Sequence, residues 1–201
     1  MKLAVFGGTF NPVHAGHLQV ADNLLRVALA DRVVFMPASI PPHKADAALA
    51  PGADRIEMVR LAIGERETCE VSSLEIGREG PSYTADTLRA LASERPSDSL
   101  HFVLGSDNFS EVGKWARFEE LAGLCEFLVV ERPGFPLRLP PPSVLPPLRE
   151  KLRHRVVPGP TVSIASSDLR RMLRAGEDVS RWLSPRVLDY IRTRRLYDLP
   201  L

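Results

Sequence analysis

A chain of 201 residues, 44% hydrophobic and 25% charged, has the length of one globular domain and is long enough to bury a core. Its 26 Lys and Arg against 25 Asp and Glu leave a net charge of +1, which excludes a whole-molecule field that would hold nucleic acid through its phosphates. No run reaches the roughly 18 apolar residues of a membrane span. The start MKLAVFGG lacks a signal-peptide core, and Cys69 and Cys125 form no CxxC pair. The expectation is a cytoplasmic protein with no nucleic-acid and no membrane partner; oligomeric state leaves no mark in the sequence.

In chain order, KLAVF (2–6), DRVVFMPA (31–38), CEVSSLEI (69–76), LHFVLGS (100–106) and EFLVVERP (126–133) are short apolar runs bounded by Gly, Pro or Asp, and each predicts a strand. Between them, HLQVADNLLRVAL (17–29), ADRIEMVRLAIGE (53–65) and TADTLRALASE (84–94) repeat Leu, Val, Ile and Met at helical spacing, the second ending near Gly64. This alternation predicts an α/β fold, a parallel sheet flanked by helices in a single domain.

Residues 133–147, PGFPLRLPPPSVLPP, hold seven prolines, too many for a helix interior or a central strand, and predict a polyproline-like surface excursion. Beyond it, RVVPGPTVSI (155–164) predicts one more strand or extended stretch. SSDLRRMLRAG (166–176) predicts a helix opened by serine and closed by Gly176, and SPRVLDYIRTRRL (184–196) a last helix with Pro185 in its first turn.

The first strand runs into GGTFNPVHAGH (7–17). Strand, glycine-rich turn and helix aim backbone N–H groups and the positive end of a helix dipole at an anion, so this segment predicts a phosphate site. Neither GxGxxG nor GxxxxGK[ST] is present. Gly8 lets a ligand approach the main chain, Pro12 fixes the turn, and Gly16 keeps the helix entrance open. His14 and His17, three apart, share one side of a first helical turn and together offer ring N–H donors. A metal site is a rival reading, but it needs a third ligand, and His43, His101, His154 and the cysteines are scattered without ligand spacing. Two helix-capping histidines are another, and the surrounding glycines and proline argue against it.

GGTFNPVHAGH resembles the GxFxPxHxGH signature of the nucleotidyltransferase superfamily, which implies a Rossmann-like parallel sheet and attack on the α-phosphate of a nucleoside triphosphate with loss of pyrophosphate. IASSDLR (164–170) resembles that superfamily's ISSTxxR pattern, with Ala165 and Ser167 as departures. Ser166 and Ser167 can cap a helix and present N–H groups, and Arg170 lies one turn on. PPHK (41–44), GPSYTADTL (80–88) and GSDNFSEVGKW (105–115) resemble the bacterial nicotinate-nucleotide adenylyltransferases. Nearly the whole chain outside the proline-rich stretch is covered.

The resemblance implies ATP and nicotinate mononucleotide as substrates, with Mg²⁺ carried by the ATP phosphates. It places Gly8, Thr9, Phe10, His14, Gly16, His17, Gly105, Asp107, Ser166, Ser167 and Arg170 around ATP, with His14, His17 and Arg170 at the reacting triphosphate. Lys44, Tyr83, Thr84 and Trp115 fall to the acceptor. In physical terms, Ser82 or Thr84 caps a helix whose N–H groups can take a pyridine carboxylate, and Trp115 offers a face for stacking. Asp107 can accept from ribose hydroxyls, and Lys44 is a mobile charge for phosphate. Adenylyl transfer to nicotinamide mononucleotide or phosphopantetheine, and a non-catalytic nucleotide sensor, are the competing functions.

Overall fold

The computed structural model describes residues 1–39, 49–78, 83–132, 134–162 and 164–198. Lys44 and Ser82 lie outside them. The first half builds β1 (Lys2–Gly8), α1 (Ala15–Arg26), β2 (Arg32–Pro37), α2 (Gly52–Ile63), β3 (Cys69–Val71) and α3 (Thr84–Glu94). The second half builds β4 (Ser99–Gly105), α4 (Ser106–Ser110), a 3₁₀ turn at Val112–Lys114, α5 (Phe118–Leu124), β5 (Glu126–Val130), α6 (Pro146–Arg149), β6 (His154–Val157), α7 (Ser166–Arg174) and α8 (Pro185–Thr193).

The six strands form one parallel sheet in the order β3-β2-β1-β4-β5-β6. Val5 of β1 pairs with Val34 on one side and Phe102 on the other. Alternation along β1 divides the core: Ala4 and Phe6 join the cluster under α1, α2, α7 and α8, while Leu3 and Val5 join the one under α3 and α5. Burial on both faces is why these strands read as continuous apolar runs.

The differences from expectation have local causes. The run at 69–76 keeps only three residues as strand, because Ser72 and Ser73 break its apolar pattern and 74–77 turn back under Ser72 and Ser73 hydrogen bonds. Helices α4 and α5, of 5 and 7 residues, are too short to display a 3.6-residue period and were not anticipated. The α7 N-cap is Ala165, not a serine, since the Ser166 hydroxyl donates to the Pro12 carbonyl at 3.0 Å. Tyr83, not Thr84, caps α3. The expected ends at Gly64 (φ 56°) and Gly176 (φ 70°) are where their helices stop, and Ser184 caps α8 ahead of Pro185. In the proline-rich stretch Phe135, Leu139 and Leu145 are exposed, yet Val144 is buried in the second cluster and Ser143 Oγ accepts from the Gly113 N–H at 3.0 Å.

Candidate active site

The order of strands reverses between β1 and β4, and a crevice at the carboxyl ends of such strands is where open α/β sheets take their ligands. The glycine-rich loop leaves β1 at this point, Gly105 caps α4 as it leaves β4, and Arg132 follows β5.

The loop is shaped from within by its own aromatic. Phe10 adopts φ 46° and is 1% exposed, and its ring lies 5.5 Å from Phe6 and 5.0 Å from His17, near perpendicular to both. A Cβ on Gly8 would come within 2.9 Å of this ring, so the bare main chain of Gly8 accommodates Phe10. With its ring buried, Phe10 has only its backbone left to meet a ligand. Gly16 has a similar task, because a Cβ there would press on the His14 ring at 3.2 Å and the Val162 carbonyl at 3.3 Å.

From outside, the loop is held by groups distant in sequence. Arg55 of α2, 1% exposed, donates to the carbonyls of Thr9 (3.0 Å), Ala38 (2.6 Å), Ser39 (2.9 Å) and Ala50 (3.0 Å). It thus joins the loop to the described flanks of residues 40–48, and charged hydrogen bonds of this kind are worth more than neutral ones. Asn11 Oδ1 accepts from the Ala50 N–H at 3.1 Å and the Tyr197 hydroxyl at 2.8 Å. Arg170 of α7 donates to the Asn11 carbonyl at 2.9 Å, which brings it, with Ser166, against the histidine loop. Ser167 is the second residue of α7, where its N–H belongs to the unpaired first turn.

His14 is the N-cap of α1, and His17 lies one turn in; their rings sit 3.7 Å apart at 33°. The His14 backbone N–H donates to His17 Nδ1 at 3.2 Å, which assigns the proton of a neutral His17 ring to Nε2. Burial, then the neighbouring His14 and Arg132, hold His17 well below its usual 6.5. Burial, then Arg132, lower His14 to about 4. Both rings are therefore neutral near pH 7. His14 Nδ1 is buried with no hydrogen-bond partner among the described residues. A buried orphan of this kind is costly unless a ligand or water meets it.

Arg132 completes this corner, and the sequence reading passed over it. The Arg132 guanidinium pairs with Asp107 Oδ2 at 3.1 Å while the Arg132 backbone N–H donates to Ser106 Oγ at 3.1 Å. Asp107 Oδ1 is buried without a hydrogen-bond partner among the described residues. The carboxylate expected to accept from ribose hydroxyls is thus engaged by a cation that also acts on both histidines.

Tyr83, Thr84 and Trp115 lie on the other layer. Thr84 opens α3 and Tyr83 is 43% exposed beside it. Trp115 follows the 3₁₀ turn and packs edge-on against Phe102 of β4, ring centroids 6.0 Å apart. Arg117 lies 5.7 Å over the Tyr83 ring and pairs with Asp86, and Arg89 Nε donates to Glu120 at 2.7 Å, so α3 and α5 are laced together beside these aromatics. Beneath α3, the Thr87 hydroxyl donates to Glu75 at 2.8 Å, and burial pushes that carboxyl's pKa up.

Among the described residues no three His, Cys, Asp or Glu side chains gather closely enough to hold a metal ion, and no helix is long and apolar enough to cross a membrane. Arg55 and Tyr197 left no local signal, since each bonds to a segment many residues away, and Asn11 lies within the motif without being marked by it. Arg132 had a weak one, its place just after an apolar strand.

Comparison with known proteins gives the family of the chain. The cytidylyltransferase-like family model matches residues 5–172. Proteins named probable nicotinate-nucleotide adenylyltransferase from Synechococcus sp. (strain JA-3-3Ab) and Geobacter metallireducens are 40% and 38% identical. Each alignment covers 98% of this chain, with 94% of the first relative and 98% of the second. The solved structure of Plasmodium falciparum nicotinic acid mononucleotide adenylyltransferase complexed with NaAD superposes with a TM-score of 0.79 at 21% identity, covering 99% of this chain and 98% of that one. At that identity the likeness concerns the fold, a Rossmann-like parallel α/β sheet. With the crevice, the histidine loop and full-length relatives in agreement, the chain belongs to the nicotinate-nucleotide adenylyltransferase family, within the cytidylyltransferase-like proteins.

Proposed function

We propose that this protein transfers the adenylyl group of ATP to nicotinate mononucleotide, giving nicotinate adenine dinucleotide and pyrophosphate in NAD biosynthesis. The observation that carries the reading is the close, tilted His14–His17 ring pair at the start of α1, at the strand-order reversal of a chain whose full-length relatives bear that name. The acceptor's phosphate has a second pKa near ~6 and is largely dianionic at neutral pH, so it needs no protein base. One of its oxygens bonds to the α-phosphorus as the bond to the β-phosphate bridging oxygen breaks, and pyrophosphate leaves. The protein's contribution is to align two anions and to meet charge as it moves to the leaving group.

In this reading His17 Nε2–H donates to the α-phosphate, and His14 and Arg170 face the β- and γ-phosphates. The backbone of Gly8, Thr9 and Phe10, with Gly16, Ser166 and Ser167, lines the triphosphate, while Gly105 and Asp107 meet the adenosine. Arg132 exchanges Asp107 for phosphate oxygens when ATP enters, leaving the carboxylate for the ribose. The N–H groups at Tyr83 and Thr84 receive the pyridine carboxylate, Trp115 stacks on the ring, and Lys44, outside the described residues, approaches the acceptor phosphate. Mg²⁺ would be carried by the ATP phosphates and would supply neutralisation of part of their charge. Neutral imidazoles suit this division, since they donate to phosphate without competing with the cation for it.

The test is pyrophosphate release with Mg-ATP and each of nicotinate mononucleotide, nicotinamide mononucleotide and phosphopantetheine. Release with the first at a kcat/KM well above the others is expected. Equal or better use of another acceptor reassigns the substrate, and ATP binding with no release under any acceptor makes the protein a sensor.

A further inference from the structure

We propose that Tyr197, at the far end of the chain, is a positioning residue for the histidine pair and acts through Asn11. The inference rests on the adenylyl-transfer reading above and adds to it a brace that reaches the reacting loop from the turn that follows α8.

Past α8 the backbone takes positive φ at Arg195 (50°), Tyr197 (68°) and Asp198 (53°), a region that non-glycine residues rarely enter. Such a conformation persists where its surroundings over-determine it. Here they do: Tyr197 is 7% exposed within the first core cluster, and its hydroxyl donates to Asn11 Oδ1 at 2.8 Å and lies 3.8 Å from the Met58 sulfur. Burial raises its pKa, so the hydroxyl keeps its proton and remains a donor. A tail needed only to cover the core would be served by phenylalanine, which has no polar atom to satisfy. The hydroxyl instead fills, with the Ala50 N–H, the two acceptor positions of the Asn11 side chain.

The base of this brace is fixed as well. Asp54 of α2 is 3% exposed and accepts from Tyr190 at 2.8 Å and from Arg194 Nε at 3.0 Å, which fastens α8 and the turn after it. Asn11 lies three residues before His14, and its carbonyl takes the Arg170 guanidinium. A shift of Asn11 therefore moves His14, the His17 Nδ1 acceptor bond and Arg170 together. Displacements on the order of 1 Å at such sites can cost about 10²-fold in rate.

Tyr197→Phe removes one oxygen and keeps the ring. The expected result is a kcat for pyrophosphate release lowered roughly tenfold with KM for nicotinate mononucleotide, whose site lies on the other layer, little changed. The His17 ring signals in long-range ¹⁵N–¹H spectra of the ligand-free protein should shift from the wild-type positions. Placed on Asn11→Ala, the same change should add no further loss, as for two residues on one path. An unchanged kcat and unchanged His17 spectrum in a folded Tyr197→Phe protein would overturn the proposal, as would fully additive losses in the double variant. Should the wild type release no pyrophosphate, the functional reading fails, while the His17 spectra still decide whether Tyr197 sets the loop.

Discussion

At the scale of single residues, the histidine loop works by denying its rings a charge. Lone histidines in water titrate near 6.5, whereas burial and Arg132 lower His14 and His17 and favour their neutral rings. The fixed tautomer of His17 follows from one backbone bond, the His14 N–H to Nδ1, and leaves Nε2–H as a preset donor. Replacing it should cost what losing one oxyanion donor costs. For His17→Ala the expected outcome is a ~10²-fold lower kcat with a native circular dichroism spectrum. Near-normal turnover would remove His17 from the chemistry. The motif announced both histidines and the glycines in the sequence, because this chemistry is packed into eleven consecutive positions. It did not announce that Gly8 makes room for Phe10, since that contact depends on the positive φ of Phe10 and on Phe6 beneath it.

At the scale of elements, what binds the acceptor is expected to be the start of α3 together with the turn that carries Trp115, on the opposite layer from the histidines. The Trp115 ring is fixed edge-on to Phe102 and stays partly open. Stacking on such a ring is worth ~1–3 kcal/mol, so Trp115→Ala should weaken nicotinate mononucleotide binding by about tenfold or more and leave ATP affinity unchanged, as read by calorimetric titration. Equal affinity would refute stacking. The strands were legible where apolar runs are buried on both faces, as in β1, β2, β4 and β5. They were not where polar residues interrupt, as Ser72 and Ser73 do after Val71. The short helices α4 and α5 carry less than two full turns of pattern, and Arg55, one of four charged residues in α2, reads as solvated until its four carbonyl partners are seen.

At the scale of the whole molecule, folding that buries two neutral imidazoles links stability to pH. A folded-state pKa of about 4 for His14, against 6.5 when unfolded, means the unfolded chain takes up protons that the native state refuses. The stabilisation is intact above pH 6.5 and is lost as pH falls toward 4. From His14 alone, roughly 2 kcal/mol should disappear between pH 7 and pH 5, and His17 shifts in the same sense. Glu75, whose carboxyl is raised by burial, acts in the opposite direction. The comparison of urea melts at the two pH values should therefore be made against His14→Asn, in which the His14 share of the loss is absent. An identical pH dependence in both proteins would contradict the buried neutral ring. The alternation of strands and helices made the parallel order of β1 to β5 legible, whereas the closure of the C-terminal turn onto Asn11 joins residues 186 apart and has no counterpart in local pattern.

The reaction itself is tested most directly by following the label of ATP marked at its α-phosphate during incubation with Mg²⁺ and nicotinate mononucleotide. Adenylyl transfer predicts that the label moves into nicotinate adenine dinucleotide in step with pyrophosphate release. Label that remains in ATP, or that emerges as free AMP with no dinucleotide formed, would contradict it.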